Sequence, residues 1–142
     1  MTHQSILDAY KSVYVEAVLV GIYSMIIFIP FTNLPLQISL IFHAVLKHMT
    51  GYIFGIQDYY CVAKCNKERA YAPVSYFGEI ALFLLFGNII FRIFPKRVFL
   101  SAFLTGATIH MFCEYAGIHA QFCRSGCTNA PITPAEVILK YY

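Results

Sequence analysis

The sequence predicts an all-α protein, an integral membrane four-helix bundle with a short C-terminal surface helix. Three observations carry that expectation. Of the 142 residues, 59% are hydrophobic and only 12% charged, about half the charged fraction of an ordinary soluble domain. Four apolar stretches, at about 13–29, 36–56, 74–94 and 98–118, approach the ~20 residues that a bilayer-crossing helix needs. The joints between them carry helix stop and start residues, above all Pro30, Pro35 and Pro95.

Taken in order, Ser5-x-x-Asp8 reads as a capping box that starts the first helix ahead of its apolar run, and Pro30 ends that helix. Asn33 and Pro35 read as N-cap and first-turn proline of the second helix, which begins at Leu36. A polar loop over 57–73 holds two cysteines and much of the charge. The third span follows, then the tight turn Pro95-Lys96-Arg97, then the fourth span. Thr133-Pro134-Ala135-Glu136 is a second capping box, which opens the surface helix of an extramembrane tail over 119–142. No repeat or low-complexity run divides the chain, so 1–142 reads as a single membrane domain. The first apolar run begins near Val13 after a polar segment, which predicts no cleavable signal peptide. The net charge of +3 is dispersed, which excludes the electrostatic footprint of a nucleic-acid binder.

Four crossings place both termini and the 57–73 loop on one face, the cysteine face. Tyr10, Tyr14, Tyr52, Tyr59, Tyr60, Tyr71, Tyr76 and Tyr115 fall near it as an interfacial belt. Phe28, Phe31, Phe91, Phe94 and Phe99 gather at the other face. Orientation stays open. The basic residues on the cysteine face place it in the cytosol by number, the dense Lys96-Arg97 turn argues the reverse, and disulfide chemistry favours an oxidising side for the cysteines.

Glu16, His43, Lys47, His48, Glu79, His110 and Glu114 lie inside the spans. An ionisable group there costs about 2.5 to 3.5 kcal/mol at the span centre on insertion scales, so it belongs in the bundle interior. Lys47, His48 and His110 sit near span midpoints, while Glu16, Glu79 and Glu114 lie about five or six residues nearer the cysteine face, at ~1.5 Å of rise each. His110 and Glu114, four apart, share a helix face. The first reading is structural, with polar pairs that fix helix register and with Glu16 and Glu79 reaching towards the headgroups. The sharper reading is a metal or proton-handling site built from His48, Glu79, His110 and Glu114.

Gly51-x-x-x-Gly55 and Ala102-x-x-x-Gly106 are small-xxx-small steps that let helix backbones approach closely, and Gly21, Gly78 and Gly87 extend the same idea. They read first as packing within the bundle, with an oligomer as the alternative. Cys61-x-x-x-Cys65 and Cys123-x-x-x-Cys127 both fall outside the spans. They read first as disulfides in one of three pairings, with a four-thiolate zinc site, free thiols and redox catalysis as the other readings. Cys113 is a small buried hydrophobe. No G-x-S-x-G, H-E-x-x-H or phosphate-cradling glycine loop is present, so no catalytic residue and no cofactor is assigned and the chain reads as a non-enzyme.

The run Lys47-His48-x-x-Gly51-x-x-x-Gly55-x-x-x-Tyr59-Tyr60-Cys61 resembles a stretch in small multi-spanning internal-membrane proteins of large nucleocytoplasmic DNA viruses. The resemblance covers residues 47–61. It implies a structural protein of the virion internal membrane that contacts minor capsid proteins, with no catalytic residues to carry over. Such viruses often encode thiol oxidases, which would permit disulfides on a cytosol-facing surface too. The expected function is therefore a multi-pass membrane structural or interaction protein whose partners are the lipid bilayer and other membrane or minor capsid proteins, met through the cysteine-bearing loop and tail. A membrane enzyme using the Glu/His cluster, and a small transporter or channel subunit, are the rival expectations.

Overall fold

A computed structural model describes residues 3–54 and 74–118. Among them the protein is all-helical, with four long helices and no strand: α1 (His3–Phe28), α2 (Leu36–Ile53), α3 (Val74–Ile93) and α4 (Val98–Tyr115). Among the described residues two segments, Val13–Phe31 and Val98–Tyr115, are long and apolar enough to cross a membrane by length and composition. Gly55, the four cysteines Cys61, Cys65, Cys123 and Cys127, and the 133–136 capping box lie outside the described residues.

Residues in contact run in opposite directions along every neighbouring pair of helices. On α1 and α4, Tyr14 meets Tyr115 and Ser24 lies against Gly106. On α2 and α3, Gln37 meets Asn88 and Lys47 meets Glu79. Ser24 of α1 bonds His43 of α2, and Phe86 of α3 packs on Phe112 of α4. The bundle is therefore up-down-up-down, as its short α1–α2 and α3–α4 connections require, with α1 beside both α2 and α4.

The ends of the helices show which local signals act. Pro30 does stop α1: the chain leaves the α-helix after Phe28 and makes one 3-10 turn over Ile29–Phe31. At the other end, α1 is already helical at His3, so Ser5 stands inside the helix and the 5–8 pair is not its cap. The start of α2 also differs from expectation. Pro35 itself is the N-cap, with extended backbone (φ −54°, ψ 139°) and no side-chain cap, because its fixed ring holds φ without help from Asn33. The Ser39 hydroxyl, one turn in, lies 2.8 Å from the Phe31 carbonyl oxygen, with the Leu34 and Pro35 carbonyls also in reach of its one hydrogen, which ties the connection to the helix it opens. α4 ends at Tyr115, short of the expected 118. Gly117 takes a left-handed conformation (φ 73°), and its N–H reaches the Glu114 carbonyl at 3.2 Å, a glycine-terminated C-cap that satisfies an otherwise open carbonyl.

Packing follows the helical period. On α1 the residues Val13, Ala17, Gly21, Ser24 and Phe28 are buried, whereas Val15, Val18, Leu19, Ile22 and Ile26 are exposed. On α4 the buried residues come in adjacent pairs four apart: Ser101 and Ala102, Thr105 and Gly106, Ile109 and His110, Cys113 and Glu114. The small first half of that stripe lets α1 come close. A Cβ on Gly106 would overlap the Ser24 side chain and stand 3.2 Å from the Val20 carbonyl oxygen, and one on Gly21 would stand 2.7 Å from the Phe103 ring. Gly87 does the same for Leu40 across α3 and α2, whereas a Cβ on Gly78 would meet nothing within 4 Å among the described residues. Ala102 and Gly51 are buried as well. The apolar core joins Phe28, Leu40, Ala44, Phe83, Phe91, Ala102, Ile109 and Cys113. Within it the Phe28 and Phe91 rings are 5.3 Å apart, which brings together two of the phenylalanines expected at one end.

Candidate functional site

The ionisable side chains inside the bundle form two clusters, one on each long seam. The first spans α2 and α3. Lys47 Nζ donates to Glu79 Oε1 at 2.7 Å, and His48 Nδ1 lies 2.6 Å from Glu79 Oε2, so one carboxylate faces two nitrogen groups. Neighbouring positions 47 and 48 reach one partner because Glu79 stands across the groove between them. The Lys47 ammonium also lies 5.3 Å from the Phe83 ring centroid, within cation–π range. His43, one turn earlier on α2, is fully buried between Phe28 and Phe83, whose rings meet it edge-on at 5.2 and 4.6 Å. Its Nε2 is 2.9 Å from Ser24 Oγ, and its Nδ1 has no hydrogen-bond partner. Tyr23 reaches α2 in the same layer, with its hydroxyl bonded to Thr50 and 3.4 Å from the Lys47 carbonyl oxygen. Gln37 and Asn88 pair through both amides near the opposite end.

The second cluster lies between α1 and α4. His110 Nε2 is 3.4 Å from Glu16 Oε2, and Glu114, on the same face of α4, completes a group whose three ligating atoms lie within 4.8 Å of one another. Glu114 and His110 are buried, and the Glu16 side chain is 25% exposed. Tyr14 and Tyr115, each next to or near a member of the cluster in the chain, bond hydroxyl to hydroxyl at 3.3 Å.

The four residues expected as one metal set thus divide. His48 and Glu79 belong to the α2–α3 seam, while His110 and Glu114 belong to the α1–α4 seam with Glu16. The reason is helix order: α1 pairs with α4 and α2 with α3, so side chains at similar depth converge only where their helices share a seam, as Glu16 and Glu114 do and Glu79 does not. Glu79 is held between α2 and α3 by Lys47 and His48. Glu16 joins His110 instead of standing apart at the edge. The Ser24–His43 bond had no pattern to announce it, although Ser24 repeats at helical spacing from Val13, Ala17 and Gly21. Among the described residues, Glu16, His110 and Glu114 are the group whose side chains lie close enough together that they could hold a metal ion.

What fold and clusters define is a helical bundle that buries histidines, hydroxyls and Glu114 beside an apolar core and also leaves many large aliphatic and aromatic side chains exposed. No family model, curated protein or solved structure matches the chain.

Proposed function

We propose that the protein is a multi-pass integral membrane protein whose four helices cross the bilayer as a bundle and whose role is structural, holding the 57–73 loop and the 119–142 tail where other proteins bind them. The observation that carries the membrane reading is the exposure of large apolar side chains on a bundle that also buries polar ones. His43, His48, His110, Glu114, Ser24, Ser39, Ser101 and Thr105 are buried, while Val15, Leu19, Ile26, Ile53, Phe54, Phe77 and Ile93 are each more than half exposed. Water would penalise that distribution, whereas hydrocarbon favours it. Serine and threonine hydroxyls that donate back to helix carbonyls, such as Thr105 to Ser101 at 2.7 Å, fit the same setting, where every polar group needs an internal partner.

The structural role is supported by the α2–α3 cluster, where Glu79 is shared by Lys47 and His48 in a closed arrangement that fixes helix register. Placement in a virion internal membrane, with minor capsid proteins as partners, rests on the resemblance at 47–61. Two measurements test the proposal. Alkaline carbonate extraction of native membranes should leave the protein in the pellet, and release into the supernatant overturns the membrane reading. Quantitative mass spectrometry should find many copies per purified particle, with assembly impaired by deletion of 134–142. A trace level spread through cellular membranes, with assembly intact after the deletion, overturns the structural one.

A further inference from the structure

We propose that Glu16, His110 and Glu114 form a binding site for one divalent first-row transition-metal ion between α1 and α4. This goes beyond the structural role and stands whether or not that role holds. Three features of the geometry point to it. The three ligating atoms already lie within 4.8 Å of one another. The 3.4 Å between His110 Nε2 and Glu16 Oε2 is longer than a charge-assisted hydrogen bond, ~2.7–2.9 Å. It equals the edge of a tetrahedron drawn around an ion with metal–ligand distances of ~2.0–2.1 Å. The ligands also come from two helices whose spacing is fixed close by: Gly21 and Gly106 admit no side chain between α1 and α4, and Tyr14 bonds Tyr115 at the other side of the cluster. The donors are thus held by the fold.

The chemistry narrows the ion. One imidazole and two carboxylates suit zinc, iron(II), manganese(II) or cobalt(II), and lack the thiolate or thioether that selects copper(I). Two carboxylates drawn this close in a low-dielectric seam repel, and a divalent cation turns that repulsion into attraction. The position allows entry from water: Glu16 is three residues inside the apolar segment that begins at Val13, Glu114 is one residue from the end of α4, and the Glu16 side chain is a quarter exposed. Three protein ligands leave one position open for water or another donor.

The test is Co²⁺ titration of the metal-stripped full chain in detergent micelles, followed by visible absorption and equilibrium dialysis. One equivalent should bind with ligand-field bands and without a thiolate charge-transfer band. Affinity should fall at least tenfold in Glu114→Gln and His110→Ala and stay unchanged in His48→Gln. Glu16→Gln, at the exposed edge of the seam, carries the same test if His110→Ala does not fold. No saturable binding, a thiolate-type spectrum, or binding undiminished in both glutamine variants overturns the proposal.

Discussion

Lys47 and Glu79, 32 residues apart in sequence, meet at 2.7 Å across the α2–α3 seam with side chains only 13% and 16% exposed. Removing one partner of so enclosed a pair leaves the other charge without compensation, which costs ~3 kcal/mol or more. Glu79→Gln should therefore destabilise the solubilised protein by about 3 kcal/mol in an SDS-unfolding titration. Lys47→Met should cost less, because His48 remains on the carboxylate. The double variant should cost less than the sum of the two, and strict additivity would mean that the pair contributes no coupling.

Ser24 and His43 give a second, asymmetric case. Ser24→Ala takes away the hydrogen-bond partner of His43 Nε2 in a ring that already has an unsatisfied Nδ1. An orphaned buried polar atom costs about 1 to 3 kcal/mol. His43→Leu removes both ring nitrogens from an aromatic niche, and the serine hydroxyl left behind can turn to the carbonyl one helical turn earlier. The serine variant should thus be the less stable of the two, and the reverse order in thermal unfolding would show that the imidazole holds more than this bond.

Two glycine substitutions separate close packing from mere helix composition. Gly106→Ala places a methyl group into Ser24 and the α1 backbone, and such overpacking costs about 1 to 3 kcal/mol. Gly78→Ala meets nothing within 4 Å and should stabilise α3 by about 0.5–1 kcal/mol through helix propensity. Opposite shifts in melting temperature are the expected readout.

Ile22 lies near the middle of the segment Val13–Phe31 and faces outwards. Arginine there should cost about 2.5 to 3.5 kcal/mol of apparent insertion free energy, visible as loss of membrane integration in a glycosylation-mapping assay. If that face met water, the same change would leave the protein soluble and unharmed.

Helix existence was legible in the sequence because it depends on local signals: Pro30 at the end of α1, Leu36 at the start of α2, and the Pro95–Arg97 turn before α4. The caps were less legible. Pro35 begins α2 and Gly117 closes α4 through backbone conformation, with no side-chain cap from Asn33, and α1 already runs from His3, ahead of Ser5. Depth along each span correctly set Glu16, His110 and Glu114 in overlapping layers, but it could not tell which helices would be neighbours. For that reason depth alone groups His48 and Glu79 with residues of the other seam, and composition alone does not separate Gly78 from the glycines that pack. Helix order depends on how all four inner faces fit together, and no local spacing encodes it.

The hydroxyl bond between Tyr14 and Tyr115 joins residues 101 positions apart, on the first and the last of the four helices. A ribosome working at ~5–20 residues per second needs about 5 to 20 s to travel between them. Throughout that interval α1 exists with Glu16 and Gly21 and without α4, so on the proposed membrane reading the nascent helix would carry a carboxylate towards the bilayer before His110 has been made. The interval favours a waiting step, in which α1 lingers at the protein-lined exit or is shielded by an insertion chaperone until α4 arrives. A truncated chain that stops before Val98 should accordingly be recognised as an orphan and degraded.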